Sequence, residues 1–164
     1  MQVALIVTNN PKAGVIAVAN RYQISVQIIS NESLQQPNQL LQVLQHFKTD
    51  YIVLAGFLRK IPDLLIQNFT NKIINIHPAL LPKFGGKGMY GDKVHEAVLQ
   101  AHEKVTGITI HFVNEHYDEG QIIFQAETTL TTTDTVATIR AKVQALEHEH
   151  FARVVEGVIL KKIC

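Results

Sequence analysis

An amide, an imidazole and a proline stand close together near the middle of this chain, at Asn75, His77 and Pro78. Side chains two residues apart on a strand point to the same face, so Asn75 and His77 are expected to act together. A carboxylate, Asp118, follows in a loop that contains Gly120. An amide can donate to an oxyanion, an imidazole can donate to the same oxygen when protonated, and a carboxylate can keep the imidazole protonated and accept protons. These residue types predict catalysis by hydrogen bonding and proton transfer.

A lone histidine at a strand end is usually structural, and so is a buried asparagine that bonds backbone. Here both occur with Pro78, Pro82 and the later carboxylate, which favours a functional interpretation. The sequence offers no obvious nucleophile paired with a base, so covalent catalysis is not predicted. His111 lies in the middle of a predicted strand and is interpreted as structural.

The strand that must position Asn75 and His77 is Ile73–Ile76, which is short, β-branched and apolar. Pro78 has no N–H for a sheet ladder and restricts His77 to extended backbone, which ends the strand. Strands and helices alternate through this half of the chain, which predicts an α/β domain with a parallel sheet. Because open α/β sheets bind ligands at their carboxyl edge, the amide and the imidazole are expected there.

The whole chain, residues 1–164, is predicted to form one domain. Its predicted strands are Val3–Val7, Ile24–Ile29, Tyr51–Leu54, Ile73–Ile76, Val105–Val113 and Gln121–Thr128. Its predicted helices are Ala13–Tyr22, Gln39–Phe47, a short one from Pro62 to about Phe69, Asp92–His102 and a long one at about Thr135–Val158. Polar or glycine-rich loops are predicted at Asn31–Asn38 and Lys83–Gly91.

The sequence also predicts the burial of the first strand, the connection of the last two strands and the caps of two helices. Val3–Val7 is apolar at every position, which predicts a strand buried on both faces. The last two strands are joined by a connection short enough for an antiparallel hairpin. Asp92 is predicted to cap its helix, and the run Thr131–Asp134 is predicted to cap the final one.

Composition narrows the class of protein. Apolar residues make up 46% and charged residues 18%, and the net charge is +1, so a nucleic-acid-binding surface is not expected. Cys164 is the only cysteine, and no apolar run approaches the length of a membrane span, which favours a cytoplasmic protein without a membrane partner. The histidines lack the spacing and the cysteine partners of a metal site, so no metal is predicted.

Two stretches carry a family resemblance: Asn75-x-His77-Pro78-x-Leu80-Leu81-Pro82 and Tyr117-Asp118-Glu119-Gly120-Gln121. They resemble the folate-dependent formyltransferases, and within that family the members that formylate glycinamide ribonucleotide in purine biosynthesis. The resemblance implies a Rossmann-like fold with a mainly parallel sheet, flanking helices, a C-terminal antiparallel hairpin and a long final helix. It also implies 10-formyltetrahydrofolate as co-substrate, small-molecule partners only, and a monomer or a homodimer.

The resemblance assigns roles to individual residues. The implied catalytic residues are Asn75, His77 and Asp118. The implied folate-binding residues are Leu54, Phe57, Leu58, Arg59, Val113, Asn114 and His116. The implied substrate-binding residues are Gly56, Pro78 and Glu147. Lys60 stands where the family usually has an apolar residue, so the rim of the folate pocket is expected to differ.

The sequence leaves open which molecule accepts the formyl group and whether the chain is catalytically active. The formyl acceptor could instead be a sugar-nucleotide amine, methionyl-tRNA or water, and the chain could be a catalytically impaired folate-binding fragment. The last alternative arises because Val3–Asn9 matches the second strand of the family. The preceding unit, roughly two dozen residues that carry the loop for the substrate phosphate, has no counterpart. The 164-residue chain alone is therefore expected to bind glycinamide ribonucleotide poorly.

Overall fold

The computed structural model describes residues 1–30 and 36–162, which fall into two compact units. The first unit is formed by Met1–Asp50 with Ile61–Phe69, and the second by Tyr51–Lys60 with the described residues from Thr70 onward. Cys164 and most of the predicted polar loop Asn31–Asn38 lie outside the described residues. Every predicted site residue belongs to the second unit. The organisation as one domain stays a prediction.

The first unit contains two strands and three helices: β1 (Leu5–Thr8), α1 (Gly14–Arg21), β2 (Ser25–Ile28), α2 (Pro37–His46) and α3 (Asp63–Asn68). β1 pairs in parallel with β2, and α2 buries Leu40 and Leu44. The prediction that Val3–Val7 is buried on both faces is wrong. Val3 is exposed and every position of β1 is only half-buried, because β2 is its one strand partner among the described residues.

The second unit contains four strands and two helices: β3 (Ile52–Leu54), β4 (Ile73–His77), α4 (Asp92–Gln100), β5 (Val105–Phe112), β6 (Ile122–Thr129) and α5 (Val136–Ile159). The strands form one sheet in the order β3-β4-β5-β6. β3 and β4 run parallel, whereas β4–β5 and β5–β6 are antiparallel. The α/β class, the C-terminal antiparallel hairpin and the long final helix are therefore confirmed.

Strand alternation divides this sheet into an apolar face and a polar face. On the apolar face, Ile74 and Ile110 pack against Val154 of α5, and Ile108 packs against Ile139 near the start of the same helix. All five side chains are at most 2% exposed, so this packing is a main source of stability for the unit.

The polar face is built from the alternate positions of the same strands. Asn75 stands opposite His111. His77 stands opposite Thr109, which in turn stands opposite Gln125 of β6. Cross-strand partners share a face of the sheet, so these polar side chains form two adjacent rows.

The helix caps differ from the sequence prediction. Gly91 is the N-cap of α4, and Asp92 is the first helical residue, where its carboxylate pairs with Arg140 instead of the helix backbone. The N-cap of α5 is Thr135, which forms a capping box with Thr138. No helix in the described ranges is long and apolar enough to cross a membrane.

Gly107 of β5 marks a close approach of two strands. A Cβ atom built there would overlap the backbone of Ala126 and Glu127, which belong to β6 and cannot swing aside as a side chain can. We expect Gly107→Ala to lower the free energy of unfolding by about 1–3 kcal/mol, the usual effect of overpacking. The measurement is urea denaturation.

Gly14→Ala is the matched control, because a Cβ at Gly14 meets nothing within 4 Å. Gly14 also begins α1, where alanine is the better helix former. Equal stability of the Gly107→Ala variant and the unaltered protein would contradict the close approach of β5 and β6.

Candidate active site

Four polar side chains converge where β4, β5 and the loop after β5 meet. We call Asn75, His77, His111 and Asp118 the polar cluster. Asn75 and His77 come from β4 and His111 comes from β5. Asp118 belongs to the loop between β5 and β6 and adopts a left-handed backbone conformation, with φ of 58°. Aspartate tolerates that conformation better than most residues, so the loop can turn its carboxylate back toward the sheet.

His77 is 3% exposed and contacts groups on both sides of its ring. Its Nε2 lies 2.8 Å from the carbonyl oxygen of Phe84. A carbonyl only accepts hydrogen bonds, so Nε2 carries the proton and donates it. Nδ1 lies 3.5 Å from Oδ2 of Asp118. A second proton on the ring would therefore be held at Nδ1, facing the carboxylate.

Burial decides the resting charge of His77. Desolvation lowers the pKa of His77 below the ordinary value of 6.5, and the Asp118 carboxylate and the Phe84 carbonyl oppose that shift only in part. The expectation that Asp118 keeps His77 protonated is therefore wrong for this state of the site. At neutral pH the ring is neutral, with its proton on Nε2 and an open position at Nδ1.

The sequence interpretation missed the contribution of His111. Its Nδ1 lies 2.8 Å from the carbonyl oxygen of Phe112, so that nitrogen carries the ring proton. Nε2 of the neutral ring then accepts a hydrogen bond from Nδ2 of Asn75, at 3.2 Å. The same Nε2 lies 3.6 Å from Oδ1 of Asp118. His111 thus orients the amide of Asn75, and its ring lies between that amide and the carboxylate.

A signal for His111 was present in the sequence but could not be read from it alone. His111 and Thr109 are polar residues that alternate with Ile108, Ile110 and Phe112, which indicates a second, polar face. Their partners became visible only with the register that sets His111 opposite Asn75.

Asp118 remains ionised although it is partly buried. Burial alone would raise the pKa of Asp118. The nearby rings of His111 and His77 and the Gly86 N–H together outweigh burial, so the pKa lies below its ordinary value. The Gly86 N–H donates to Oδ2 at 2.9 Å. Next to it, Gly85 has no room for a side chain, because a Cβ atom there would lie 2.5 Å from Leu81 Cδ2.

The predicted folate-binding residues lie on two segments that flank the polar cluster. Leu54 is buried and stands opposite Asn75 in the register of β3 and β4. After it, Phe57 is half-buried, Leu58 is 60% exposed and Arg59 is exposed. Large exposed apolar side chains beside polar ones suit a flat heterocycle with a charged tail.

The second segment begins at the end of β5. The Val113 N–H donates to the Ile73 carbonyl at the start of β4. The side chain of Asn114 then accepts a hydrogen bond from the His116 N–H at 3.0 Å, which turns the chain toward Asp118. These contacts fix the course of the loop.

The predicted substrate-binding residues are spread over three elements. Gly56 has a φ of 68°, in the left-handed region that glycine adopts readily. Pro78 follows His77 and is half-buried. Glu147 lies half-buried on α5, and burial raises its pKa, with His148 opposing the shift. The structure brings together the predicted catalytic residues, whereas Glu147 makes no direct bond to them.

The described part of the chain contains no group of three or more histidine, cysteine, aspartate or glutamate residues that could hold a metal ion. Asp118 is the one carboxylate of the polar cluster. The ring N–H groups of His77 and His111 each donate a hydrogen bond to a backbone carbonyl.

Comparison with known proteins gives a consistent picture. A family model described as formyl transferase matches residues 1–155. The chain is 40% identical over 166 residues to phosphoribosylglycinamide formyltransferase, chloroplastic, of Arabidopsis thaliana, covering 98% of this chain and 57% of that protein. It is 34% identical over 160 residues to phosphoribosylglycinamide formyltransferase of Bacillus subtilis, covering 95% of this chain and 80% of that protein.

A solved structure shows the same fold. The crystal structure of phosphoribosylglycinamide formyltransferase from Anaplasma phagocytophilum superposes with a TM-score of 0.89 at 29% identity. The match covers 99% of this chain and 77% of that one. The chain spans little more than half the length of the plant relatives, 57% for Arabidopsis thaliana and 53% for Vigna unguiculata.

The burial of His77 predicts a loss of stability in mild acid. Because the pKa of His77 is lower in the folded chain than the value of 6.5 in an unfolded one, the unfolded state binds this proton more readily. The contribution of the neutral His77 to the free energy of unfolding is complete above the unfolded-state pKa of 6.5, and it is lost as the pH falls through the folded-state pKa. We expect the free energy of unfolding, measured with urea, to fall as the pH is lowered from about 7 through 6.5 and below.

His77→Gln cannot take up that proton, so its free energy of unfolding should depend less on pH over the same interval. Burial also lowers the pKa of His95, so part of the dependence should persist in this variant. A pH dependence identical to that of the unaltered protein would refute the assignment to His77.

Proposed function

Because the chain belongs to the formyl transferase family, we propose that it transfers a formyl group from 10-formyltetrahydrofolate to the amine of glycinamide ribonucleotide in purine biosynthesis. The observation that carries this proposal is the polar cluster, in which Asn75, His77 and Asp118 are joined within one buried network. The names of the plant and Bacillus subtilis relatives support the choice of acceptor.

Asn75 is the proposed donor to the formyl oxygen. When an amine attacks the formyl carbon, negative charge develops on that oxygen and must be stabilised. The amide nitrogen of Asn75 carries two N–H groups, and His111 accepts one of them. Since the amide is thereby held in one orientation, its second N–H can be aimed at the developing charge without reorganisation.

His77 and Asp118 are proposed to take up the proton that the attacking amine releases. They then return a proton to the folate nitrogen, whose bond to the formyl carbon breaks as tetrahydrofolate leaves. The open position of the neutral ring is Nδ1, 3.5 Å from the carboxylate. A proton placed there converts the ring to a cation beside an ionised carboxylate, which stabilises it. The Phe84 carbonyl keeps the other ring nitrogen protonated, so the proton has one defined site on the ring.

The proposed folate site is the pair of segments that carry Leu54, Phe57, Leu58, Arg59, Val113, Asn114 and His116. When bound, 10-formyltetrahydrofolate supplies the formyl carbon. Leu58 and Phe57 offer apolar surface for its rings, and the exposed Arg59 can pair with its carboxylate tail. These residue types fit the molecule, and no metal takes part in the proposed mechanism.

The proposed ribonucleotide site consists of Glu147 with the backbone of Gly56 and Pro78. Burial raises the pKa of Glu147, and hydroxyl donors of a ribose would compensate the carboxylate for lost water. The proposed substrates are small molecules. The proposed compartment is the cytoplasm, which is consistent with a single cysteine in 164 residues.

The test is an assay of formyl transfer from 10-formyltetrahydrofolate by the purified protein with each acceptor in turn. We expect transfer to glycinamide ribonucleotide, and none to a sugar-nucleotide amine, methionyl-tRNA or water. His77→Ala and Asn75→Ala should each lower kcat by about 10²–10³-fold, the range for a lost oxyanion donor or proton-transfer group. Folate binding, measured by fluorescence, should change little.

Two outcomes would overturn this proposal. One is faster transfer to another acceptor than to glycinamide ribonucleotide. The other is a kcat for His77→Ala close to that of the unaltered protein, in a variant that folds normally by circular dichroism.

Glu147→Gln provides a separate test of the ribonucleotide site. The variant keeps the size of the side chain and removes the charge that accepts ribose hydroxyl donors. We expect KM for glycinamide ribonucleotide to rise about tenfold, equivalent to about 1.4 kcal/mol of binding, with kcat nearly unchanged. Glu149→Gln, an exposed position two residues away, is the matched control. The assignment fails if both variants behave alike.

A further inference from the structure

A buried threonine and a glutamine from two strands bind the chain just after the catalytic histidine. The Thr109 hydroxyl donates to the Ala79 carbonyl at 2.7 Å and accepts the Leu81 N–H at 2.9 Å. Nε2 of Gln125 donates to the Leu81 carbonyl at 3.0 Å and to the Thr109 hydroxyl at 2.9 Å. Three backbone groups of the segment Ala79–Leu81 are therefore held by two side chains of the sheet.

The hydrogen-bonding capacity of the Thr109 hydroxyl and of the Gln125 side-chain nitrogen is used completely. A hydroxyl has one donor and two acceptor sites, and Thr109 fills all three. The side-chain nitrogen of Gln125 has two N–H groups, and both are donated. Thr109 is fully buried, at 0% exposure, so each bond lost would leave a buried polar group without a partner. The segment is thus fixed in a single position.

Contacts lead from this segment to the polar cluster. The Leu81 side chain lies so close to Gly85 that a Cβ atom there would be 2.5 Å from Leu81 Cδ2. Gly85 stands between the two loop residues that bind the catalytic side chains. The Phe84 carbonyl accepts a hydrogen bond from His77 Nε2 at 2.8 Å, and the Gly86 N–H donates to Asp118 at 2.9 Å. The Leu81 side chain therefore occupies the space beside Gly85 and limits the positions that this part of the loop can adopt.

We propose that Thr109 and Gln125 are positioning residues for the formyl transfer reaction. They hold Ala79–Leu81, and through Leu81 they fix the Phe84 carbonyl and the Gly86 N–H that orient His77 and Asp118. The register places His77, Thr109 and Gln125 in one row across three strands, so the same row carries the histidine and the two residues that position its loop. This inference rests on the proposed function.

Three variants and one control test the proposal. Thr109→Val and Gln125→Met keep the size of each side chain and remove its hydrogen bonds. Thr109→Ser keeps the hydroxyl that Thr109→Val removes. Thr106→Val is the matched control, because Thr106 lies on the same strand, is 2% exposed, and has a buried hydroxyl without a hydrogen-bond partner among the described residues. It makes the same chemical change away from Ala79–Leu81.

Two measurements are made on each variant with the full-length protein. The first is kcat and KM for 10-formyltetrahydrofolate and glycinamide ribonucleotide. Misplacement of reacting groups by about 1 Å costs about 10²-fold, so Thr109→Val and Gln125→Met should lower kcat by about 10–100-fold while each KM changes by less than about threefold. The second is the tautomer of His77 by ¹⁵N NMR, which should be a single Nε2–H form in the unaltered protein and a mixture in both variants.

Thr109→Ser and Thr106→Val are expected to behave like the unaltered protein in both measurements. The proposal is overturned if Gln125→Met and Thr109→Val keep kcat within about twofold of the unaltered value, or lower it without changing the His77 tautomer. An equal loss of kcat in Thr106→Val would also overturn it. Gln125 is exposed, so its variant provides a folded test even if Thr109→Val does not fold.

Failure of the proposed function is distinguishable from failure of this inference. If the unaltered protein transferred no formyl group, the proposed function would fail, and the tautomer measurement would still decide whether the pair positions His77. If the unaltered protein were active and the variants were equally active, only the positioning role would fail.

Discussion

The centre of the polar face of the sheet is buried, and the need to satisfy its hydrogen bonds governs the arrangement of the site. His77, Thr109 and His111 are each at most 3% exposed. A buried polar group without a partner costs about 1–3 kcal/mol, so the chain that covers this face must present backbone groups to these side chains. The segment from Ala79 to Gly86 does so, at Ala79, Leu81 and Phe84. The segment that covers this face of the sheet therefore also orients the catalytic residues.

The two faces of the sheet therefore have different tasks although they share strands. Ile108 and Ile110 pack against α5, and the gain is area removed from water. The residues between and beside them, Thr109 and His111, make directional bonds to the loop and to Asn75. Apolar packing stabilises the strands in place, and the polar face uses that rigidity to hold side chains at defined positions.

The same burial sets the charges of the site. Desolvation opposes a cation on His77, whereas the Gly86 N–H and the nearby rings of His111 and His77 favour the anion on Asp118. The resting pair is thus a neutral imidazole beside an ionised carboxylate, which is a better proton acceptor than an ion pair would be. The charge inferred for the histidine from residue types alone was the reverse, because the Asp118 carboxylate was considered without the burial of His77.

The sequence by itself determined the local features of this protein. The spacing of Asn75 and His77, the stop at Pro78, the α/β class and the long final helix were predictable, because they depend on neighbouring residues and on periodicity. The motifs also sufficed to identify the family. Such patterns extend over a few residues and need no knowledge of which strands pair.

Only the tertiary structure decided what depends on register and burial. The roles of His111, Thr109 and Gln125 arise from their positions opposite Asn75, His77 and one another, which antiparallel pairing fixes. The half-buried state of β1 follows likewise from its pairing with β2. The protonation of His77 depends on the chain that covers it, more than half a dozen residues later. These properties combine residues distant in sequence, and a slip of one residue in register would send every side chain of a strand to the opposite face.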